Sequence, residues 1–128
     1  MIPDRPDAPE LLRIAAKVLR DDILPSAHKK LRLEGLMVLR AMAIAEREIE
    51  HGAAAALESQ KALAGYYREP LREGDPMQSV ILSILLANDI RAGRCDGEDV
   101  AAKVHRMLVE DVERRLAVCN PGFLDRRT

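Results

Sequence analysis

Glu48 and His51 stand three residues apart, the spacing at which a carboxylate and an imidazole on one helix face bind iron in four-helix carboxylate proteins. That chemistry needs the pair twice. The residues three before His28 and His105 are Pro25 and Ala102, so the second pair is missing and no metal ligands are expected. A position in the last turn of a helix, where the dipole favours a cation, accounts for His51. His105 lies at the margin of an apolar stripe beside Ala101 and Leu108. It would serve as acid or base if a carboxylate from another helix reached it, and otherwise as a hydrogen-bonded boundary residue. Arg40 projects from the most apolar stretch of the chain, where an unpaired charge is expensive. It therefore needs Asp89, Asp111 or Glu48, an anionic ligand, or a second subunit, and an ion pair is the expected answer. Arg47 reads as a surface residue, and Lys29, Lys30 and Arg32, offset by Glu34, as a solvated face. Ser26, Ser59, Ser79 and Ser83 have no nucleophile motif around them, and the glycines are scattered singly rather than set in a phosphate-cradling loop. No catalytic residue and no cofactor motif stand out.

The stretch that must position these residues runs from Ser26 to His51. Val38, Met42, Ala45 and Ile49 follow at steps of four, three and four, and Leu33, Met37, Ala41 and Ile44 form a second stripe beside them. One neighbour cannot cover so wide an apolar surface, so two or three helices are expected around it. Pro25 and Ser26 supply a start signal and Gly52 a stop signal. An interior glycine costs about 1 kcal/mol against alanine, so Gly35 predicts a close helix crossing.

Ahead of the central helix, residues 1–7 read as an extended arm, and Asp7, Pro9 and Glu10 as a capping pattern opening a first helix. Leu12, Ala15, Leu19 and Ile23 should be its buried stripe, and the short link through Pro25 implies an antiparallel pair. The alanine-rich segment 53–67 predicts a third, loosely held helix. Residues 68–76, with Pro70, Gly74 and Pro76, predict the mobile loop, and Asp75, Pro76 and Gln78 a capped start for a fourth helix. That helix is apolar almost all round from Val80 to Ala87 and needs cover on most sides. The fifth is predicted to be capped by Asp96 with Asp99 and to bury Val100, Val104, Met107 or Leu108, Val112, Leu116 and Cys119. Asp99 with Lys103, Glu110 with Arg114 and Asp111 with Arg115 would pair on its wet side. Asn120 and Pro121 stop it, leaving 121–128 as a tail.

The chain of 128 residues is long enough for a single domain over 1–128. Few aromatics and no alternating segment leave the all-α class, a bundle of about five helices around the long central one at 26–51. With a net charge of −1, no basic face and no aromatic stacking platform, nucleic-acid binding is not expected. A DNA-binding regulator ranks last, because no helix gathers basic residues at its amino end. No apolar run spans a bilayer and no secretory signal opens the chain. A cytoplasmic location follows as the default, with Cys95 and Cys119 as reduced thiols. The apolar excess of the fourth helix predicts a homodimer.

Two stretches carry a family resemblance. Arg32–Ile49, with Ala43, Ile44, Arg47 and Glu48, and the ending Leu116–Phe123 resemble an uncharacterised bacterial family of small helical proteins, as do the opening Pro3–Pro6 and Ile90–Gly93. Members of that family are often encoded beside aminoglycoside-phosphotransferase-like kinases and acyl-CoA dehydrogenases, and the resemblance implies a shared pathway without implying an activity. The reading that follows is a noncatalytic helical accessory protein. It would bind a partner, such as the kinase-like protein or an acyl-CoA dehydrogenase, near Arg40, Arg47 and the loop before Pro76. The alternative is a small enzyme or ligand-binding protein with a pocket between helices two, four and five, where Arg40 holds an anionic group and His105 is acid or base.

Overall fold

In the computed structural model, residues 4–127 are described, and they contain helices and turns with no strand among them. Residues 1–3 of the expected arm and Thr128 lie outside the described part. The first helix, α1 (Ala8–Val18), begins as its sequence predicts. The Asp7 carboxylate accepts from the Glu10 amide at 3.0 Å, and Glu10 accepts from the Asp7 amide at 2.8 Å, so two otherwise orphaned donors are satisfied reciprocally. α1 runs into a π turn at Leu19–Ile23 and a 3-10 turn at Leu24–Ser26. The extra residue of the π turn rotates the apolar stripe, so Leu24 is buried where Ile23 was expected, and Ile23 stays exposed.

Ser26 does not open the next helix. Its hydroxyl donates back to the Ile23 carbonyl at 3.3 Å, and α2 (Lys29–Arg47) starts after His28, which caps it without a side-chain bond. α1 returns along α2 as an antiparallel partner, and Arg13 bridges to Glu46 at 2.6 Å and to Glu50. Gly35 marks the close approach predicted for it, with a side chain as the neighbour rather than another backbone. A Cβ there would collide with the Leu24 side chain.

The expected break at Gly52 is absent. Gly52 has ordinary right-handed helical angles, φ −61° and ψ −42°, inside a π turn at Glu48–Gly52 that joins α2 directly to α3 (Ala53–Tyr67). A glycine stops a helix when it takes the left-handed conformation, and here Arg68 takes that role, at φ 55°. Residues 29–67 thus form one rod of roughly 55–60 Å at 1.5 Å per residue. A Cβ on Gly52 would meet the Glu48 carboxylate, the movable end of a flexible side chain.

The connection 68–75 is tied down rather than loose. Gln78, 1% exposed, accepts from the Gln60 side chain at 2.8 Å and the Arg72 amide at 2.9 Å, and donates to the Pro70 carbonyl at 2.8 Å. Gln60 also donates to the Arg72 carbonyl at 2.8 Å. Asp75 caps α4 (Pro76–Arg91) through the Met77 amide at 3.0 Å, while Gln78 is spent on the loop instead of a capping box. α4 lies along α3, burying Leu82 and Leu86. Tyr66 and Tyr67, edge to face at 4.9 Å, fasten the turn after α4 to the end of α3. Tyr67 donates to Asp89 at 2.7 Å, Asp89 accepts from Arg94 at 2.9 Å, and Tyr66 meets the buried Cys95 thiol at 3.8 Å.

α5 (Glu98–Cys119) crosses the rod at its π turn, touching α2, α3 and the turn itself. Gly97, not Asp96, is its cap residue, and no side chain caps it. Val104, Met107, Asp111, Arg114 and Val118 turn inward at steps of three and four, and Leu116 is half-buried; Val100, Val112 and Cys119, expected inside, are exposed. Asn120 and Pro121 end α5 as predicted, but Pro121–Asp125 coil into a short α6 in place of a plain tail. Both cysteines are free thiols.

This arrangement leaves much apolar surface bare. A compact monomer of 14.2 kDa exposes about 6,800 Å², whereas this chain exposes 9572 Å². Leu33, Leu36 and Met37 face away from α1, with Met37 72% exposed, and Met77, Val80, Ile81 and Ile84 face away from α3.

Candidate functional site

α3 is rich in alanine, and short side chains facing α4 and α5 leave volume that larger ones would fill. The result is a cleft of about 610 Å³ lined by Ile44 and Glu48, the small face of α3, the face of α4 that carries Ser79, Ser83, Leu86 and Ile90, and α5 from Met107 to Cys119. Its walls are mainly apolar, the composition usual for small-molecule sites.

Ser59, Asp111, Arg114 and Arg115 form a hydrogen-bonded polar group on its α3–α5 side. The Ser59 hydroxyl donates to Asp111 Oδ1 at 2.5 Å and accepts a long bond from Arg114 Nε at 3.4 Å. Arg115 Nη2 reaches the other Asp111 oxygen at 2.9 Å, the pair one turn apart that the sequence predicts. Arg114 forms no ion pair with Glu110; it turns inward, and its Nη2 is buried with no hydrogen-bond acceptor. Among the described residues it makes no ion pair at all. Nothing in the local sequence around Ser59, Asp111 and Arg114 marks them as a site. A longer-range signal is there, because Asp111 and Arg114 fall in phase with Val104, Met107 and Val118, where an apolar residue is the rule.

The residues that were singled out stand apart from the cleft. Arg40 is exposed on α2, and the acids proposed for it are engaged elsewhere or turned away: Asp89 with Tyr67 and Arg94, Asp111 with Ser59 and Arg115, Glu48 against Gly52. Its expected burial fails because only α1 lies along α2 at that level, and the opposite side meets water. Arg47 is half-buried and donates from Nε to the Val118 carbonyl at 2.6 Å, tying α2 to the end of α5. It is a crossing residue rather than a surface one. His105 is exposed on α5. None of the three lines the cleft, although the cleft does fall between the helices named for the ligand-binding alternative, with α3 added.

His51 faces its neighbour Glu50 at 3.7 Å, and among the described residues no group of three His, Cys, Asp or Glu side chains is placed to hold a metal. Nor is any described helix long and apolar enough to cross a membrane. Fold and site together define an all-α protein with an open, cleft-bearing helical framework and no recognisable catalytic constellation among its described residues. The family model for the domain of unknown function DUF6285 matches residues 25–123, and the chain belongs to that family. No curated protein and no solved structure matches it.

Proposed function

We propose that the chain is a noncatalytic helical accessory protein of the bacterial cytoplasm that works as a homodimer and docks on a partner enzyme. The observation that supports assembly is the surplus of exposed surface, about 2,800 Å² beyond that of a compact monomer of this mass. Stable dimers need only about 800 Å² from each partner. Two bare stripes are present, Leu33, Leu36 and Met37 on the α2 half of the rod and Met77, Val80, Ile81 and Ile84 on α4, which packs along the α3 half. A two-fold axis across two antiparallel rods sets the α4 stripe of each copy on the α2 stripe of the other, so one self-complementary contact covers all four.

The partner is a phosphotransferase-like kinase or an acyl-CoA dehydrogenase, a choice supported by the family resemblance, and the exposed Arg40 with the loop before Pro76 offers it a polar contact. Light scattering at micromolar concentration tests the dimer. A particle of twice 14.2 kDa is expected, reduced to one chain by Met37→Glu or Ile84→Glu; a wild-type particle of 14.2 kDa overturns it. Co-expression with the kinase-like protein of the same host tests the partner, and failure of the two to co-elute removes that half.

A further inference from the structure

The cleft between the rod, α4 and α5 holds an arginine, Arg114, that makes no ion pair among the described residues and has one nitrogen buried without an acceptor. Asp111 is the acid nearest in the hydrogen-bond network, and Arg115 occupies one of its oxygens at 2.9 Å while Ser59 occupies the other. Glu48 also lines the cleft, its carboxylate beside Gly52, and it makes no ion pair with Arg114. Arg114 is left with one weak bond to Ser59 and a buried Nη2 whose hydrogens have no acceptor. A guanidinium desolvated without a partner is costly, and what satisfies it best is a carboxylate, which accepts two parallel N–H bonds. The remaining wall is mainly apolar, with the Ser79 and Ser83 hydroxyls of α4 as its further polar groups. Ala55, Ala56 and Ala62 of α3 face Leu86 and Ile90 of α4 and Met107 of α5 around about 610 Å³, within the range of pockets that enclose small ligands.

We infer that this cleft binds a small amphiphile with one carboxylate on an unbranched apolar body, the carboxylate seated on Arg114 and the body lying against the alanine face of α3. The inference is independent of the dimer, because it rests on Arg114 and the cavity and not on the bare stripes.

Decanoate, titrated calorimetrically below its micelle concentration into the full chain, is the probe. One decanoate per chain is expected, with 1-decanol, of the same length and uncharged, bound more weakly by on the order of tenfold or more, the usual worth of a hydrogen bond to a charged group. Arg114→Gln should bring decanoate down to the level of decanol while leaving decanol unchanged. Should that variant fold poorly, methyl NMR of the wild-type chain decides. Decanoate should shift the signals of Ala55, Ala62 and Ala87 and leave those of Leu33 and Met37 in place. Absence of saturable decanoate binding, equal affinity for decanol, or shifts confined to the α2 stripe would each overturn the proposal. So would binding that appears only when the subunits dissociate, since the cleft would then be a subunit contact.

Discussion

Replacing Gln78 by leucine removes the centre of the polar cluster that holds the α3–α4 connection. Gln78 is 1% exposed and serves Gln60, Arg72 and Pro70 at once. Gln78→Leu strands the Arg72 amide and the Pro70 carbonyl, but both residues border solvent, so water recovers part of what is lost. Gln60, itself 5% exposed, keeps its bond to the Arg72 carbonyl. An unsatisfied buried group costs about 1–3 kcal/mol. With partial rescue by water the total comes to about 2–4 kcal/mol, offset by about 1 kcal/mol from the added apolar burial. The expected net loss is about 1–3 kcal/mol in urea denaturation at fixed protein concentration. Gln60→Leu combined with Gln78→Leu should cost less than the sum of the two, with a coupling of at least about 0.5 kcal/mol. Hydrogen exchange of the Arg72 amide should quicken in Gln78→Leu. A leucine variant as stable as the parent, with unchanged exchange at Arg72, would refute the pinned loop.

Leu82→Ala empties a site 6% exposed against α3, and a loss of about 2–5 kcal/mol is expected by chemical denaturation; no loss would mean α4 is rotated. Gly35→Ala gains about 1 kcal/mol of helix propensity but drives the new methyl into the Leu24 side chain. A net lower melting temperature is expected, and a higher one would show that Leu24 moves freely. Burial, reinforced by the hydrogen bond donated to Asp89, holds the Tyr67 phenol above its ordinary range, and burial followed by the Cys95 contact raises Tyr66. Both phenols keep the proton more tightly folded than unfolded, so their contribution is intact below about pH 10 and is lost as pH rises beyond it. Absorbance titration of the folded chain should show phenolate forming at higher pH than in the unfolded chain, and an ordinary phenol titration would contradict the buried geometry.

Much of the helical framework is legible in the sequence because it is written locally. Asp7 with Glu10, Asp75 before Pro76, and Asn120 with Pro121 act within one turn, and each marks a helix end in the structure. What escaped depends on partners distant in the chain. Gly52 carries the same residue signal as a terminating glycine, but it keeps right-handed helical angles inside the π turn that α5 crosses. Gln78 looks like a capping residue until Gln60 is brought beside it. Arg40 looks buried in a pattern that presumes cover on all sides, yet α1 supplies cover on one. Arg114 was assigned to water because Glu110 stands one turn before it, whereas its phase with Val104, Met107 and Val118 directs it to the cleft.

The rod from residue 29 to residue 67 also acts as a ruler. Because its backbone is unbroken, the α2 stripe at one end and the seat of α4 at the other keep a fixed separation and a fixed angle about the axis. Each residue inserted or deleted between them turns one end against the other by about 100° and shifts it by about 1.5 Å. The π turn at Glu48–Gly52 is an inserted residue of this kind, and it sets the phase between the two ends. Length changes should therefore be excluded from 29–67.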